Sequence, residues 1–159
     1  MKTLSFYLIV LISVSMCFAC HHKDEKEIES DYLSSFINDM HTPKNIKWLV
    51  ILPGMGCHGC IQEGEQFMKD NIKNKKIFFV LTQIESLKIL QNKIGVNLKQ
   101  QSNILADIDN KLTIPSNNSI YPCIVQLDNG KIKEHEFQCP QNGQAFYNLK
   151  SRLLAEKQE

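Results

Sequence analysis

The sequence predicts one α/β domain with a central mixed sheet, flanking helices and a C-terminal antiparallel hairpin. Two short apolar runs are each followed by a segment with apolar residues at helical spacing, which is typical of parallel strands joined by helices. An Asn-Gly step between two strand-like segments indicates a hairpin near the C-terminus. The chain has 159 residues, of which 43% are hydrophobic. This length suits a single domain, and the composition argues against wholesale disorder.

The first half of the chain carries the predicted parallel unit. Ser30 is a candidate N-cap for a helix with one apolar face. The apolar run 46–52 has strand length and suits a strand covered on both faces. An amphipathic helix from Cys60 onward connects it to a second apolar strand at 77–81. A second amphipathic helix then ends at Gly95, because glycine accepts the left-handed conformation that closes helices.

The second half predicts a different connection. Residues 103–106 form a short apolar strand. Strands at 123–127 and 131–137 flank Asn129-Gly130, a strong signal for a tight antiparallel turn. A last amphipathic helix follows Pro140. The sheet is therefore expected to be mixed, with parallel strands first and an antiparallel pair at one side.

The N-terminus has the pattern of an exported lipoprotein. Lys2 precedes an uncharged apolar run, so residues 1–19 are predicted to be a secretory signal peptide. A small residue directly before Cys20 resembles the lipobox of bacterial lipoproteins, which implies that Cys20 is lipidated. A membrane-spanning helix is the alternative for the same run. Residues 20–30 are predicted to be a flexible tether, and 31–159 the folded domain.

Charge excludes one class of partner. Lys2 is the only charged residue before Cys20, so the remainder carries 17 basic and 17 acidic side chains. This balance gives no support to nucleic-acid binding. The Lys-Asp-Glu cluster after Cys20 resembles surface-export signals of some Gram-negative lipoproteins. The expected location is the cell envelope, lipid-anchored, in the periplasm or on the outer-membrane surface.

The motif Cys57-His58-Gly59-Cys60 carries the predicted chemistry. It lies between a buried strand and an amphipathic helix, so Cys57 is expected at the helix N-terminus. Unpaired N–H groups and a partial positive charge there stabilise a thiolate, and Cys60 is close enough to resolve a mixed disulfide. The alternatives are a static disulfide or half of a zinc site. No second ligand pair at zinc spacing accompanies the motif.

These features resemble the thioredoxin superfamily, in particular the membrane-anchored TlpA-like and ResA-like thiol-disulfide oxidoreductases. The resemblance rests on 48–60 as strand plus CxxC, on Ile120-Tyr121-Pro122, and on the turn at 128–132. It implies a thioredoxin-like fold over residues 44–155, with Pro122 as a cis proline facing the disulfide. It also implies a membrane electron donor as a partner.

Two further residues are candidates for catalysis. Glu63 lies where the TlpA-like family carries an acidic residue beneath its disulfide, so a partly buried carboxylate there is expected to exchange a proton with Cys60. Alternatively, Glu63 is a solvent-facing helix residue. His58, as imidazolium, would stabilise the Cys57 thiolate, or it is an exposed turn residue. Gly56 departs from the family, which usually has Trp before its first cysteine.

The expected function is disulfide exchange with envelope proteins, with Cys57 attacking and Cys60 resolving. Pro122 and the backbone of Tyr121 are expected to present an edge to the partner chain. No bound cofactor is expected, because the dithiol carries the electrons. Two alternatives stay open: a copper-binding carrier that uses Cys57, Cys60 and His58, and a redox-inactive binding lipoprotein. A peroxidase of the peroxiredoxin type is disfavoured, because the sequence has no Pro-x-x-x-Thr-x-x-Cys pattern.

Two cysteines remain outside the motif. A two-residue turn at Asn129-Gly130 places Cys123 opposite Glu136 rather than Cys139, so simple register opposes a second disulfide. A bulge would bring the two cysteines closer. Otherwise Cys123 is a small buried apolar residue.

Overall fold

The computed structural model describes residues 23–40, 43 and 45–156. The signal peptide and the lipidated Cys20 predicted from the sequence lie outside these residues. None of the described helices is long and apolar enough to cross a membrane.

The described residues form a mixed α/β fold with one five-stranded sheet and four α-helices. The elements in chain order are α1 (Glu25–Asp39), β1 (Trp48–Pro53), α2 (His58–Asn71), β2 (Ile77–Thr82), α3 (Leu87–Ile94), β3 (Ile104–Ala106), β4 (Cys123–Asp128), β5 (Lys131–Phe137) and α4 (Ala145–Ala155). Short 3-10 helices span Leu98–Gln100 and Asn117–Ile120. Every strand predicted from the sequence is present.

The sheet is mixed, as predicted. Its strand order is β3-β2-β1-β4-β5. The β1–β2 and β2–β3 pairs are parallel, whereas β1–β4 and β4–β5 are antiparallel. Ile51, near the end of β1, pairs with Cys123 at the start of β4. The N-terminus of α2 therefore lies at the same edge of the sheet as Pro122.

Both faces of the sheet are covered, which explains why β1 is apolar at every position. Trp48, Val50 and Leu52 point into a core formed with α2, α3 and α4. Leu49 and Ile51 point to the opposite face, where α1 packs. All five side chains are at most 3% exposed. Successive strand residues alternate between the faces, so a continuous apolar run fits a sheet buried on both sides.

The hairpin forms at the predicted step but with a shifted register. Asn129 and Gly130 both have positive φ, 51° and 81°, as a tight hairpin turn requires. A bulge next to Gln126 and Leu127 then moves Cys123 opposite Phe137, rather than Glu136. The predicted register was wrong by one residue, because it assumed a regular ladder and the bulge shifts one strand against the other.

Cys123 and Cys139 do not pair. Both are free thiols, and Cys123 is fully buried. The structure therefore places Cys123 in the core as a small buried residue.

The first helix begins earlier than predicted. It starts at Glu25, because the Asp24 carboxylate caps it by accepting the Glu27 N–H at 2.7 Å. Ser30 is therefore inside the helix, and 25–30 is not a flexible tether. One acidic residue of this segment is in the interior: Glu29 is only 3% exposed.

Candidate functional site

Cys57 and Cys60 form a disulfide at the start of α2, with their Cα atoms 5.4 Å apart. Cys57 is the N-cap residue and is half-buried, whereas Cys60 in the first helical turn is buried. Cys57 is therefore the more accessible of the two cysteines. This difference in exposure suits the predicted roles of Cys57 as the attacking cysteine and Cys60 as the resolving one.

The disulfide lies at the positive end of a long helix. Ile61 N–H is bonded to the Cys57 carbonyl at 2.9 Å, which closes the first turn of α2. By helix geometry, the N–H groups that precede Ile61 in this turn have no partner within the helix. Their dipoles favour negative charge on a nearby sulfur.

The loop before Cys57 is pressed against the segment that leads into β4. Cys57 N–H donates to the Ile120 carbonyl at 3.2 Å. Gly56 has φ of 139°, and a Cβ atom on it would lie 2.2 Å from that same carbonyl oxygen. No other residue fits this position without displacing the Ile120 backbone. The glycine that departs from the family pattern therefore allows a close backbone contact.

Tyr121 and Pro122, predicted to face a partner chain, differ from that prediction in two respects. The peptide bond between Tyr121 and Pro122 is trans, so the predicted cis proline is wrong. Tyr121 has an extended backbone, φ −111° and ψ 148°, which residues before a proline favour. Its N–H donates to the Asn118 carbonyl at 2.9 Å. Of the Tyr121 backbone groups, the carbonyl alone has no hydrogen bond within 45–156. Tyr121 therefore cannot offer a partner chain both the N–H and the carbonyl that β-type pairing uses.

Two exposed apolar residues belong to the segments that meet at Cys57. Met55, two residues before Cys57, is 50% exposed. Ile120, whose carbonyl binds the Cys57 backbone, is 44% exposed. Both residues are large, apolar and exposed at the candidate site, which suits contact with another protein.

His58 and Glu63 are both exposed residues. No hydrogen bond or ion pair of His58 is present in the described part of the chain. The Glu63 carboxylate, in contrast, accepts a 2.5 Å hydrogen bond from Gln138 Nε2. Its exposure agrees with the solvent-facing interpretation, but its carboxylate is held by a buried partner.

Gln138 is a residue that the sequence analysis missed. It is 3% exposed, and its backbone N–H donates to the Pro122 carbonyl at 2.9 Å. It therefore contacts both α2 and the segment beside the disulfide. Its position directly after a strand and two residues before Pro140 gives no sign of burial.

A second buried network of hydrogen bonds is centred on Glu29 of α1. Its carboxylate accepts hydrogen bonds from Ser116 Oγ at 2.5 Å and Asn118 Nδ2 at 2.9 Å, and it lies 3.0 Å from His135 Nε2. Burial raises the pKa of Glu29, but the bonds from Ser116, His135 and Asn118 together lower it below its ordinary value. Because Asn118 also binds Tyr121, this network fixes the segment beside the disulfide.

The remaining thiols differ in their surroundings. Burial raises the pKa of the Cys123 thiol well above its ordinary value, and the nearby carboxylates of Glu29 and Glu136 raise it further. Cys123 is therefore a poor nucleophile. Cys139 is half-buried and lies beside a cavity of about 490 Å³ that His135 also lines.

No group of three or more His, Cys, Asp or Glu side chains is arranged to hold a metal ion within the described residues. The side chains of Cys57, Cys60 and His58, the ligands of the copper alternative, do not form such a group. No family model, curated protein or solved structure matches this sequence.

Proposed function

We propose that this protein exchanges disulfide bonds with other proteins through Cys57 and Cys60. The observation that carries the proposal is the asymmetric disulfide at the N-terminus of α2. Cys57 is accessible and Cys60 is buried, so a partner thiol or disulfide meets one sulfur first. A static structural disulfide has no need for this arrangement, since both of its sulfurs can be buried.

We also infer that the fold is thioredoxin-like and that the chain is related to TlpA-like and ResA-like oxidoreductases. The support is the order of the elements around the motif. A parallel β1–α2–β2 unit carries CxxC at its first turn, and an antiparallel β4–β5 hairpin followed by α4 completes the sheet. The trans bond before Pro122 is a departure from that family.

The exchange proceeds in two steps when the protein reduces a partner. The Cys57 thiolate attacks one sulfur of the partner disulfide, forms a mixed disulfide and releases the other partner sulfur as a thiolate. The Cys60 thiol then gives its proton to Glu63 and attacks the Cys57 sulfur. The second partner thiolate leaves, and the Cys57–Cys60 disulfide remains. Two electrons pass to the partner, and the reverse steps oxidise a partner dithiol.

Contact with the partner is proposed to be mainly apolar. Met55 in the loop before Cys57 and Ile120, whose carbonyl accepts the Cys57 N–H, are both exposed. The Tyr121 carbonyl offers one acceptor for a backbone N–H of the partner. A single hydrogen bond with apolar contacts gives weak, broad recognition, which suits an enzyme that releases many products.

The proposed setting is the cell envelope. Cys20 would be the lipidated N-terminus, and its lipid would hold the domain at a membrane surface. A membrane electron donor is the proposed source of reducing equivalents, and no bound cofactor is required. His58 beside Cys57 is proposed to favour the thiolate when it is protonated.

The test is to trap partners covalently. In cells that produce the Cys60→Ser variant, mixed disulfides on Cys57 should accumulate and disappear on treatment with dithiothreitol. The Cys57→Ser variant is the matched control and should give none. Absence of dithiothreitol-sensitive adducts from both variants would favour a redox-inactive binding lipoprotein.

A second measurement examines the physical basis of the reaction. In the reduced protein, the alkylation rate of Cys57 should show a pKa below that of a free cysteine, which is about 8.5. Ionisation like that of a free cysteine would remove the reason for rapid attack at neutral pH.

A further inference from the structure

Gln138 links the helix that carries the disulfide to the segment beside it. Its side-chain Nε2 donates to Glu63 Oε2 at 2.5 Å, and its backbone N–H donates to the Pro122 carbonyl at 2.9 Å. We propose that Gln138 is a positioning residue that holds the Glu63 carboxylate in place for the attack of Cys60 on a mixed disulfide. This inference rests on the proposed disulfide exchange.

The orientation of the Gln138 amide is fixed by its other partners. Oε1 accepts the Phe146 N–H at 3.2 Å, and Nε2 also donates to the Gly143 carbonyl at 3.1 Å. A backbone N–H can only donate and a carbonyl can only accept, so a flipped amide would lose both bonds. Nε2 therefore faces Glu63, and a donor always meets the carboxylate.

Capping of α4 alone does not account for all of these contacts. The bonds to Gly143 and Phe146 order the start of α4, and they leave one amide hydrogen that must still be satisfied in a buried setting. That hydrogen reaches Glu63 on α2. Glu63 is exposed, so without this bond its side chain would be free to change rotamer. The bond selects one position of the carboxylate.

The position of the Glu63 carboxylate matters because Glu63 lies close to Cys60 on the helix. Cys60 and Glu63 are three residues apart on α2, so their side chains are neighbours on one face of the helix. In the resolving step, the Cys60 thiol transfers its proton to the Glu63 carboxylate, and the resulting thiolate attacks the Cys57 sulfur. The partner thiolate leaves and takes up a proton from water. A carboxylate held by Gln138 is available for this transfer in each cycle.

The experiment separates attack from resolution in one trace. The reduced protein is mixed rapidly with a chromogenic aromatic disulfide. Attack by Cys57 releases the first aromatic thiolate, and attack by Cys60 releases the second. The trace of a Cys57→Ser/Cys60→Ser variant is subtracted to remove the contribution of other thiols.

The Gln138→Met variant keeps the length of the side chain and removes the amide. We expect it to slow the second release on the order of tenfold, which is less than complete loss of a general base usually costs, and to leave the first release unchanged. The matched control is Gln126→Met in β4, a half-buried glutamine whose Oε1 accepts a hydrogen bond from Arg152 at 3.5 Å. It should leave both releases unchanged.

Glu63→Gln decides the result if Gln138→Met folds poorly. It should slow the second release and flatten its pH dependence, and the double variant should be no slower than the slower single variant. If the second release of Glu63→Gln matches the wild type, or if the two effects multiply independently, the positioning role is overturned while disulfide exchange stands. If wild-type Cys57 reacts no faster than the subtracted thiols, disulfide exchange itself fails.

Discussion

Replacement of Glu29 tests whether the buried polar network holds the segment beside the disulfide. The carboxylate is 3% exposed and faces three polar side chains, Ser116, Asn118 and His135. Glu29→Ala leaves these three groups without their partner. Loss of one member of a buried charged network costs about 3–5 kcal/mol of unfolding free energy. Glu29→Gln keeps the size but replaces charge-assisted bonds by neutral ones, so we expect a cost of about 1–2 kcal/mol.

The cost of Glu29→Gln should depend on pH. The pKa of Glu29 in the folded protein is below its ordinary value of 4.5. A depressed carboxyl pKa contributes stability that is fully present above the unfolded pKa and is lost as the pH falls through the folded pKa. Gln does not titrate, so the stability difference between wild type and variant should shrink as the pH falls below 4.5.

Urea unfolding provides the measurement. Trp48 is the only tryptophan in the chain and is 2% exposed, so its fluorescence reports on the core. Glu25→Gln on the same helix is the control, since Glu25 is exposed and a substitution there should change stability by about 0.5 kcal/mol or less. A cost below about 1 kcal/mol for Glu29→Ala would refute the reasoning. So would a difference between wild type and Glu29→Gln that does not change with pH.

Two other substitutions and one labelling experiment test further features of the site. Gly56→Ala should cost about 1–3 kcal/mol in urea unfolding, because of its positive φ and the contact with Ile120. The matched Gly59→Ala variant, with no atom within 4 Å of the added Cβ, should be neutral or stabilising by up to about 1 kcal/mol; equal costs would contradict the contact. In the native reduced protein, iodoacetamide should modify Cys139 but spare Cys123. Peptide mass analysis would identify the modified cysteine. Rapid labelling of Cys123 would show that its burial is transient.

Local sequence patterns were sufficient for most elements. The predicted hairpin turn is present because Asn129 and Gly130 tolerate positive φ, a property of these residues alone. Gly95 ends α3 for the same reason, with φ of 70°. The motif at the start of α2 was also predictable, since strand, loop and helix are adjacent in sequence and CxxC spacing is itself local.

Contacts between distant residues were not predictable in this way. From the sequence, Glu29 is expected to be a charged surface residue. Its carboxylate is instead surrounded by hydrogen-bond donors that lie 87 to 106 residues further along the chain. Gln138 reaches Glu63 across 75 residues. The bulge in the hairpin likewise depends on how neighbouring strands pack.

The amino-acid sequence by itself determined where strands and helices form, and it determined that Cys57 begins a helix, because these follow from periodicity and from the conformational limits of single residues. Only the tertiary structure decided which polar groups are buried and what faces the disulfide. A buried acid or amide is tolerated only where separate segments supply its hydrogen bonds, and that supply exists only once the chain has folded.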